Sequence, residues 1–372
     1  MHIAIDVRSL MEGRHSGVEE YTTQIIRAMA IASPLHTYHA FYNSARKVTL
    51  PQFRENVVVH SFSYSNKLLN ASQGLLGAPR WDRMIGQHID VVFVPNPRLL
   101  PLSPGLPFVT VAHDVSYERF PEFLTLKRRA WHALMRPKRL MEKSSHVIAV
   151  SEHTRRDLID VYDLDPHAIR VIYPGVSQQM QKPNSVDVQK TILKYRLPQR
   201  FLLFVGTMEP RKNISSVIEA FSAIAGHVSQ DLVIAGERGW KEKELLHAIE
   251  SSLHADRIHR IGFIEEADKQ ALYAAADLFV YPSFYEGFGF PPLEALLAGT
   301  PAVVSFNSSL PEVVGDWATL VDPYNTPEIA ATLKELLVAP QRVPDRIQKE
   351  IREKYSWERA AQQTIEILES VV

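Results

Sequence analysis

At 372 residues, the chain is long enough to form two domains with separate hydrophobic cores. Its 41 basic and 42 acidic residues nearly cancel, which excludes the strong overall field that recruits nucleic acid. The sequence contains no cysteine, so disulfides and thiolate metal sites are excluded and a cytoplasmic location is permitted.

The beginning of the chain predicts a strand and not a targeting segment. Met1-His2-Ile3 runs directly into a strand that carries Asp6 and Arg8, so we expect no signal peptide. The longest stretch of low charge, residues 91–112, contains five prolines and is not expected to span a membrane.

The first half of the chain alternates apolar strands with helical patterns, which is typical of a mainly parallel sheet. The predicted strands cover residues 2–7, 38–42, 57–60, 91–94, 108–112 and 147–150. A loop with Gly13 and Gly17 follows the first strand and precedes a helix that opens near Val18. Such a loop suits a phosphate group, although Gly17 could simply start the helix.

His113 and Asp114 follow the strand at 108–112, at the edge where parallel sheets bind ligands. From position alone, His113 is either a ligand-binding residue or a packed one. Asp114 is expected to anchor or cap the loop. Further along, Ser151 predicts a helix N-cap, and Asp163 and Asp165 lie in a polar turn that does not resemble a metal site.

Residues 124–144 are predicted to form one helical run that Pro137 kinks. The run carries seven basic residues and one acid, with Trp131 among its apolar residues. It is either a solvated face, a peripheral contact with an anionic bilayer, or a site that holds a lipid diphosphate. After it, the polar and irregular stretch 177–186 marks a domain boundary.

A second α/β unit follows, with predicted strands at 201–205, 232–235, 258–261, 278–281, 302–305 and 319–321. Gly206 ends the first of them, and Arg211 and Lys212 lie in the loop before a helix that begins near Ile214. Arg can fork across phosphate oxygens and Lys adds a point charge, so the pair is typical of a diphosphate site. The alternative is a basic pair on the surface.

Two glutamates bracket the glycine-bearing loop that follows the strand at 278–281. Glu286 precedes Gly287-Phe288-Gly289, and Glu294 lies early in the helix that Gly299 ends. Both can face a crevice at the carboxyl edge of the sheet. Carboxylates would repel phosphate, so we expect them to accept hydrogen bonds from sugar or ribose hydroxyls.

The spacing Glu286-x7-Glu294 in E-G-F-G-F-P-P-L-E, followed by A-x-x-A-G-T-P-A-V, resembles the E-x7-E motif of family 4 retaining glycosyltransferases of the GT-B fold. S-G-V-E-E-Y-T, V-A-H-D and G-T-M-E-P-R-K-N are similar to other segments of that family, so the resemblance covers nearly the whole chain. The family usually has two adjacent glycines in the first segment. Ser16 takes the first place here, so only Gly17 is carried over.

The resemblance implies an α/β protein with two Rossmann-like domains whose parallel sheets face a deep interdomain cleft. An acceptor domain would cover residues 1–176, completed by a C-terminal helix at 356–372 that Ser356 caps. A nucleotide-sugar donor domain would cover residues 177–355.

The resemblance also implies roles for individual residues. Arg211 and Lys212 would stabilise the leaving diphosphate, Glu286 would bind sugar hydroxyls, and Glu294 would hold the ribose. His113 would contact the donor sugar and act in catalysis with Arg211, Lys212 and Glu286. The implied donor-binding residues are Gly17, Gly206, Arg211, Lys212, Phe263, Ile264, Glu286, Gly287, Phe288, Gly289, Phe290 and Glu294. Phe263 and Ile264 would line the base pocket, although a simple core contact explains them equally well, and no metal or cofactor is required.

E-P-R-K-N together with G-F-G-F-P-P looks most like bacterial mannosyltransferases of polysaccharide and O-antigen assembly. The expected reaction moves mannose from GDP-mannose to a saccharide or polyprenyl-linked saccharide. The expected location is the cytoplasm, including the inner face of the plasma membrane. A UDP-sugar donor is the alternative, and a non-catalytic nucleotide-sugar-binding partner is the alternative of another class. A glycoside hydrolase would have no use for the basic pair.

Overall fold

The computed structural model describes residues 1–11, 17–46, 48–176, 183–240 and 242–372. The strands are β1 (His2–Asp6), β2 (Thr37–Asn43), β3 (Val57–Phe62), β4 (Val91–Val94), β5 (Phe108–Ala112), β6 (His146–Ala149), β7 (Ile169–Val171), β8 (Phe201–Val205), β9 (Asp231–Ala235), β10 (Ile258–Gly262), β11 (Leu278–Tyr281), β12 (Ala302–Ser305) and β13 (Thr319–Val321).

The α-helices are α1 (Gly17–Ala32), α2 (Asn66–Leu76), α3 (Trp81–Ile85), α4 (Ser116–Arg119), α5 (Leu126–Met135), α6 (Pro137–Lys143), α7 (Glu152–Tyr162), α8 (Ser185–Tyr195), α9 (Ile214–Ile224), α10 (Glu242–Glu250), α11 (Glu266–Ala275), α12 (Phe290–Leu297), α13 (Leu310–Val314), α14 (Thr326–Val338), α15 (Asp345–Lys354) and α16 (Trp357–Ser370). Short 3-10 helices cover Arg8–Met11, Pro121–Phe123, Pro166–Ala168, Pro210–Lys212, Ala225–His227, Ala255–Arg257 and Gly315–Trp317.

The chain divides into two compact units. Unit 1 comprises Met1–Gly175 together with Tyr355–Val372, and unit 2 comprises Val176–Lys354. The first break therefore falls one residue before the sequence-based boundary. The polar stretch predicted at 177–186 lies partly outside the described residues, and its end already belongs to α8, which Asn184 caps by accepting from the Asp187 N–H at 2.9 Å.

Unit 1 contains a seven-stranded parallel sheet in the order β3-β2-β1-β4-β5-β6-β7. On the interior strand β1, Ile3 is paired with Tyr38 on one side and Val91 on the other. On one face, Phe41, Trp81 and Val92 belong to a buried cluster. Helices α1 and α16 pack against each other, and the Tyr21 and Trp357 rings meet edge to face at 5.6 Å.

Unit 2 contains a six-stranded parallel sheet in the order β10-β9-β8-β11-β12-β13. Its central strands are apolar and buried, and Phe279 of β11 pairs with Leu203 of β8 and Ala302 of β12. Because every observed pairing in this sheet is parallel, the loops after β8, β10, β11, β12 and β13 all leave the same edge. The two predicted parallel α/β sheets are confirmed.

The run at 124–144 is helical over most of its length, but the kink predicted at Pro137 is a full break between two helices. Proline disfavours the helical conformation of the preceding residue, and Arg136 accordingly adopts φ +46° between α5 and α6. Arg8–Met11, predicted as loop, forms a 3-10 helix in which Arg8 pairs with Asp6 at 2.6 Å. Strand β7 was not predicted, since three residues are too few for a clear pattern.

Several local predictions are confirmed. Ser151 caps α7 by accepting from the Thr154 N–H at 3.0 Å, and Ser356 caps α16 by accepting from the Arg359 N–H at 3.2 Å. Gly299, with φ +85°, follows the end of α12. Asp163 ends α7 in the left-handed conformation, so it belongs to a turn.

Candidate active site

The loop after β8 holds two cations at the start of a helix. Pro210–Lys212 form one turn of 3-10 helix, Asn213 adopts φ +55°, and α9 begins at the next residue. The loop is packed closely against its neighbour, because a Cβ on Gly236 would lie 2.0 Å from the Gly206 carbonyl oxygen. This packing fixes the position of the segment that carries Arg211 and Lys212.

The loop after β11 is fixed by hydrogen bonds to the loop after β12. The Ser309 hydroxyl donates to the carbonyl oxygens of Glu286 and Phe288 at 2.9 and 3.0 Å, and the Glu286 N–H donates to Ser308 Oγ at 2.9 Å. Gly289 adopts φ +97°, and a Cβ there would lie 2.6 Å from Leu310 Cδ2. Glycine is therefore required where the chain turns into α12.

The side chains of these two loops meet in a buried network of charges. Arg211 Nη1 and Lys212 Nζ donate to the two oxygens of Glu286 at 2.9 and 2.7 Å. Arg211 Nη2 also donates to Glu209 Oε1 at 2.6 Å, and Lys212 donates to the Tyr281 hydroxyl. Each charged member is at most a fifth exposed, so the attractions are weakly screened. We call Glu209, Arg211, Lys212, Tyr281 and Glu286 the charge network.

The charge network shifts the pKa values of its members. Burial alone would raise the pKa of Glu286, but Arg211 and Lys212 outweigh it and lower the pKa to about 2. Burial lowers the pKa of Lys212 from its ordinary value, opposed by the attraction of Glu286. Burial also raises the pKa of Tyr281 well above its ordinary value, so the hydroxyl keeps its proton. Glu286 is therefore ionised and neutralised by cations that an anionic ligand could share.

Glu294, the second glutamate of the motif, has partners of its own. Lys269 Nζ donates to Glu294 Oε1 at 2.6 Å, and the Tyr273 hydroxyl donates to Oε2 at 2.8 Å. The side chain is buried on α12, and burial raises the pKa of Tyr273 well above its ordinary value. The arrangement holds Glu294 in one orientation at the side of α12 that α11 covers.

The remaining sequence-predicted residues of unit 2 lie on loops of the same sheet edge. Gly206 follows β8, and Phe288 and Phe290 pack with ring centroids 5.1 Å apart near the Gly289 turn. Gly262, with φ +74°, ends β10. After it, Phe263 is 43% exposed whereas Ile264 is buried. Phe263 is thus open to a ligand, while Ile264 is a core contact.

In unit 1, His113 lies at the carboxyl end of β5, as predicted. Its Nε2 is 2.8 Å from the Pro95 carbonyl oxygen, and its ring meets Tyr21 edge to face at 4.9 Å. Burial lowers the pKa of His113, so the ring is neutral, with Nε2 as donor and Nδ1 as acceptor. Asp114 accepts from the Ser116 N–H at 3.0 Å, which confirms it as a loop anchor.

Gly17 is the first residue of α1, and the preceding loop with Gly13 and Ser16 lies outside the described residues. The prediction for that phosphate-suited loop therefore stays a prediction.

Four functional neighbours escaped the sequence reasoning. Glu209 and Tyr281 join the charge network, and Lys269 and Tyr273 hold Glu294. Lys269 and Tyr273 are four residues apart on a predicted helix, so their common face could have been found. The sequence offers no such signal for Glu209. Tyr281 is the last residue of a buried apolar strand, which is typical of a core residue and not of a hydrogen-bonding one.

Two further properties concern the described part of the chain. Among those residues, no group of three or more His, Asp or Glu side chains is placed to hold a metal ion. Within the same residues, every helix is too short or too polar to cross a bilayer.

Comparison with known proteins extends these observations. The model described as Glycosyltransferase Family 4 matches residues 15–179, and Glycosyl transferases group 1 matches residues 187–354. O-antigen chain mannosyltransferase B of Escherichia coli is 29% identical over 94% of this chain and 95% of its own. MMP alpha-(1->4)-mannosyltransferase of Mycolicibacterium hassiacum is 27% identical over 72% of this chain and 66% of its own.

Solved structures share the architecture of the whole chain. Sucrose-phosphate synthase from Thermosynechococcus elongatus has a TM-score of 0.82 at 19% identity, over 100% of this chain and 99% of its own. HepE from Anabaena in complex with UDP-glucose has a TM-score of 0.74 at 20% identity, over 100% of both chains. With its two parallel Rossmann-like sheets and both family matches, the chain is a glycosyltransferase of the GT-B fold that belongs to family 4.

Proposed function

We propose that the protein transfers mannose from GDP-mannose to a saccharide or lipid-linked saccharide, with retention of the anomeric configuration. The observation that carries this proposal is the convergence of Arg211 and Lys212 on Glu286 at the carboxyl edge of unit 2. The choice of mannose is supported by the two relatives named mannosyltransferases, one of them for O-antigen chains.

In the proposed reaction, the bond between the sugar and the diphosphate breaks and leaves negative charge on the diphosphate. Arg211 and Lys212 neutralise that charge from fixed positions in weakly screened surroundings, with help from the N–H groups at the start of α9. These two cations supply the positive charge that the leaving group needs, so we propose that neither a metal nor a cofactor takes part.

Glu286 is placed to bind the hydroxyls of the donor sugar. When a diphosphate binds, Arg211 and Lys212 donate some of their hydrogen bonds to it in place of Glu286. The oxygens of the ionised Glu286 then accept hydrogen bonds from the sugar hydroxyls. Gly287, Phe288, Gly289 and Phe290 form the loop against which the same sugar lies.

The nucleoside half of the donor is assigned to the neighbouring loops. Glu294 accepts from the ribose hydroxyls, exchanging part of its bonding with Lys269 and Tyr273. Phe263 contacts the base, with Ile264 supporting the loop from the core side. Gly206 lets the diphosphate approach the backbone, and Gly17 is assigned to the same ligand through its place at the start of α1.

His113 is assigned to a hydroxyl of the transferred sugar. Because Nε2 donates to the Pro95 carbonyl, the ring offers Nδ1 as an acceptor. The acceptor hydroxyl then attacks on the face that the diphosphate leaves, and its proton passes to a diphosphate oxygen. A new carbon–oxygen bond thus replaces the broken one on the same face.

A UDP-sugar is the second candidate donor, favoured by the UDP-glucose found in the structure of HepE. The candidate of another class is a nucleotide-sugar-binding partner without catalysis. The intact charge network argues for catalysis, because a partner without catalysis would tolerate the loss of charge at Arg211, Lys212 or Glu286, whereas all three are present.

We also propose that the protein contacts membranes peripherally through α5. In α5, all ten residues of which are described, no side chain is buried, and Leu126, Trp131 and Leu134 are exposed beside basic residues. Exposed apolar and cationic side chains on one short helix are typical of binding at an anionic surface. Such a contact would place the protein at the cytoplasmic face of a membrane that carries its acceptor.

The proposed function is tested with purified protein, GDP-mannose and tagged mannose oligosaccharides. We expect Lys212→Met and Glu286→Gln to lower the rate of mannose transfer by about 100- to 1,000-fold, since each removes a fixed charge near the reacting bond. Lys349→Ala is the matched control, because Lys349 is exposed and pairs only weakly with Glu353 at 3.7 Å.

Thermal-shift measurements with GDP, UDP and ADP identify the base, because a bound ligand raises the unfolding temperature. Full transfer by Lys212→Met would refute the assigned site. A shift with UDP alone would replace GDP-mannose by a UDP-sugar.

A further inference from the structure

Three consecutive loops at the carboxyl edge of unit 2 each carry an aromatic side chain that reaches solvent. Phe284 follows β11, Phe306 follows β12 and Tyr324 follows β13. Phe306 is 52% exposed and Tyr324 is 67% exposed, whereas Phe284 is half-buried. The rings of Phe284 and Tyr324 lie 4.8 Å apart between centroids. We call these three side chains the aromatic platform.

The aromatic platform is tied to the charge network by hydrogen bonds. The Phe284 N–H donates to the Arg211 carbonyl oxygen at 2.9 Å. The Asn213 side chain donates to the carbonyl oxygens of Pro282 at 3.1 Å and Pro323 at 2.8 Å, which joins the loops of Phe284 and Tyr324. These bonds hold Phe284 and Tyr324 in a fixed position beside Arg211, and the Phe306 N–H donates to the Val321 carbonyl oxygen of β13 at 3.0 Å, as in a preformed binding surface.

Burial in the core does not explain the two exposed members. Phe306 and Tyr324 leave much of a large apolar ring in water on loops that have defined hydrogen bonds, including Tyr324 N–H to Asp322 Oδ1 at 2.9 Å. Grouped exposed aromatics on fixed loops are typical of ligand-binding surfaces, because a ligand recovers the apolar area.

The composition of these loops indicates an uncharged ligand. Residues 306–309 read F-N-S-S and residues 322–325 read D-P-Y-N, with no lysine or arginine among them. A phosphate or an anionic lipid would be attracted by cations that these segments do not provide. Amide and hydroxyl groups beside aromatic rings instead suit a saccharide, whose ring has apolar C–H faces and hydroxyls at its rim.

The strand order places the aromatic platform beyond the sugar end of the proposed donor site. Along the sheet edge, β10 carries Phe263, β8 carries Arg211, and β11 carries Glu286. A donor laid along this edge has its base at β10, its diphosphate at β8 and its sugar at β11. Since neighbouring strands lie about 5 Å apart, the platform on β12 and β13 extends roughly 5–10 Å further along the same line.

We propose that the aromatic platform is the binding site of the acceptor saccharide, whose rings stack on Tyr324 and Phe306 with Phe284 behind them. This inference rests on the proposed function, because it names the acceptor subsite of the same sheet edge. It assigns to unit 2 a part of acceptor recognition that the sequence analysis gave to the first domain alone.

The test compares the Phe306→Ala/Tyr324→Ala double variant with the unchanged protein at saturating GDP-mannose, using mannose oligosaccharides of increasing length. We expect the KM for the longer acceptors to rise about tenfold, the loss of two ring contacts, while kcat and the affinity for GDP stay unchanged. Tyr324→Phe keeps the ring and should keep the low KM. Leu253→Ala is the control, because Leu253 is 95% exposed and follows α10, outside the three loops.

The outcomes separate the two proposals. If the unchanged protein transfers no sugar from any nucleotide sugar, the proposed function fails, and saturation-transfer NMR with the same oligosaccharides then tests the platform directly. Oligosaccharide signals that disappear in the double variant would support saccharide binding at the aromatic platform. Equal signals in the two proteins would overturn it. An unchanged acceptor KM, a loss of GDP affinity, or a loss of vesicle binding or self-association in the double variant would also overturn it.

Discussion

At the scale of single residues, Glu286 is the carboxylate that both cations of the charge network share. Its carboxylate is ionised because Arg211 and Lys212 outweigh the effect of burial on its pKa. The same carboxylate competes with any anion for those two cations. Under the proposed function, Glu286 therefore has opposite effects on two steps, since it would favour binding of sugar hydroxyls and disfavour binding of the diphosphate product.

This opposition gives a prediction for Glu286→Gln. We expect the variant to bind GDP about fivefold or more tightly, because a like charge beside the diphosphate is removed, although transfer becomes slower. Isothermal titration of GDP measures the affinity, with Glu353→Gln as a control at an exposed glutamate. Weaker binding of GDP by Glu286→Gln would contradict the prediction and would give Glu286 a direct role in holding the nucleotide.

Residue types and spacing predicted Arg211, Lys212 and Glu286 as a group because each lies in a loop that follows a recognisable apolar strand, with glycine beside it. The ion pairs among them were not predicted, since the sequence analysis assigned Glu286 to hydroxyls and the cations to phosphate. Geometry in the absence of ligand decides such pairings, because buried charges must be matched by whatever is near. The hydrogen bond to Tyr281 was not predicted either, because a tyrosine at the end of an apolar strand is typical of a core residue.

At the scale of elements, the separation of α5 from α6 changes how the basic segment can be used. Met141 of α6 is buried in a hydrophobic cluster, so α6 is anchored in unit 1. The break at Arg136 and Pro137 frees α5 to present its apolar side chains at an angle that a continuous helix would not allow. The sequence predicted that Pro137 interrupts the helix. The angle between α5 and α6 was not predictable, because it depends on where α6 packs.

We expect Trp131→Ala/Leu134→Ala to weaken binding to vesicles that contain anionic phospholipid by about tenfold, because two exposed apolar anchors are lost. Cosedimentation at low and high salt measures the binding, and the electrostatic part should fall as salt rises. Leu193→Ala on α8 is the matched control, since Leu193 is 76% exposed in unit 2. Equal binding by the double variant and the control would exclude α5 as the contact.

At the scale of the whole molecule, the chain leaves unit 1 after Gly175 and returns to it at Tyr355. The two crossing points touch within unit 1, because a Cβ on Gly175 would lie 2.2 Å from the Trp357 backbone nitrogen, and the Tyr173 and Tyr355 rings are 5.8 Å apart. The parallel strands of both units were predictable from apolar runs. The close contact at Gly175 was not, since it joins residues far apart in the chain.

We expect Gly175→Ala to destabilise unit 1 by about 2–3 kcal/mol, because the added methyl group overlaps backbone atoms that cannot move aside freely. Calorimetry should show the unfolding of unit 1 at a temperature lower by roughly 4–12 °C. Gly226→Ala is the control, since nothing lies within 4 Å of its Cβ position. Identical melting temperatures of the two variants would contradict the prediction. They would mean that the backbone segments at Gly175 and Trp357 can move apart without a loss of stability.

The return of the chain to unit 1 has a consequence during protein synthesis. The ribosome makes all of unit 2 before it makes α16, which adds on the order of ten seconds or more at about 5–20 residues per second. During that time, the apolar side of α1 against which α16 later packs is uncovered, whereas unit 2 is one continuous segment and can finish folding by itself. The newborn polypeptide is thus most exposed to chaperones and proteases at its amino-terminal half, although that half emerges first.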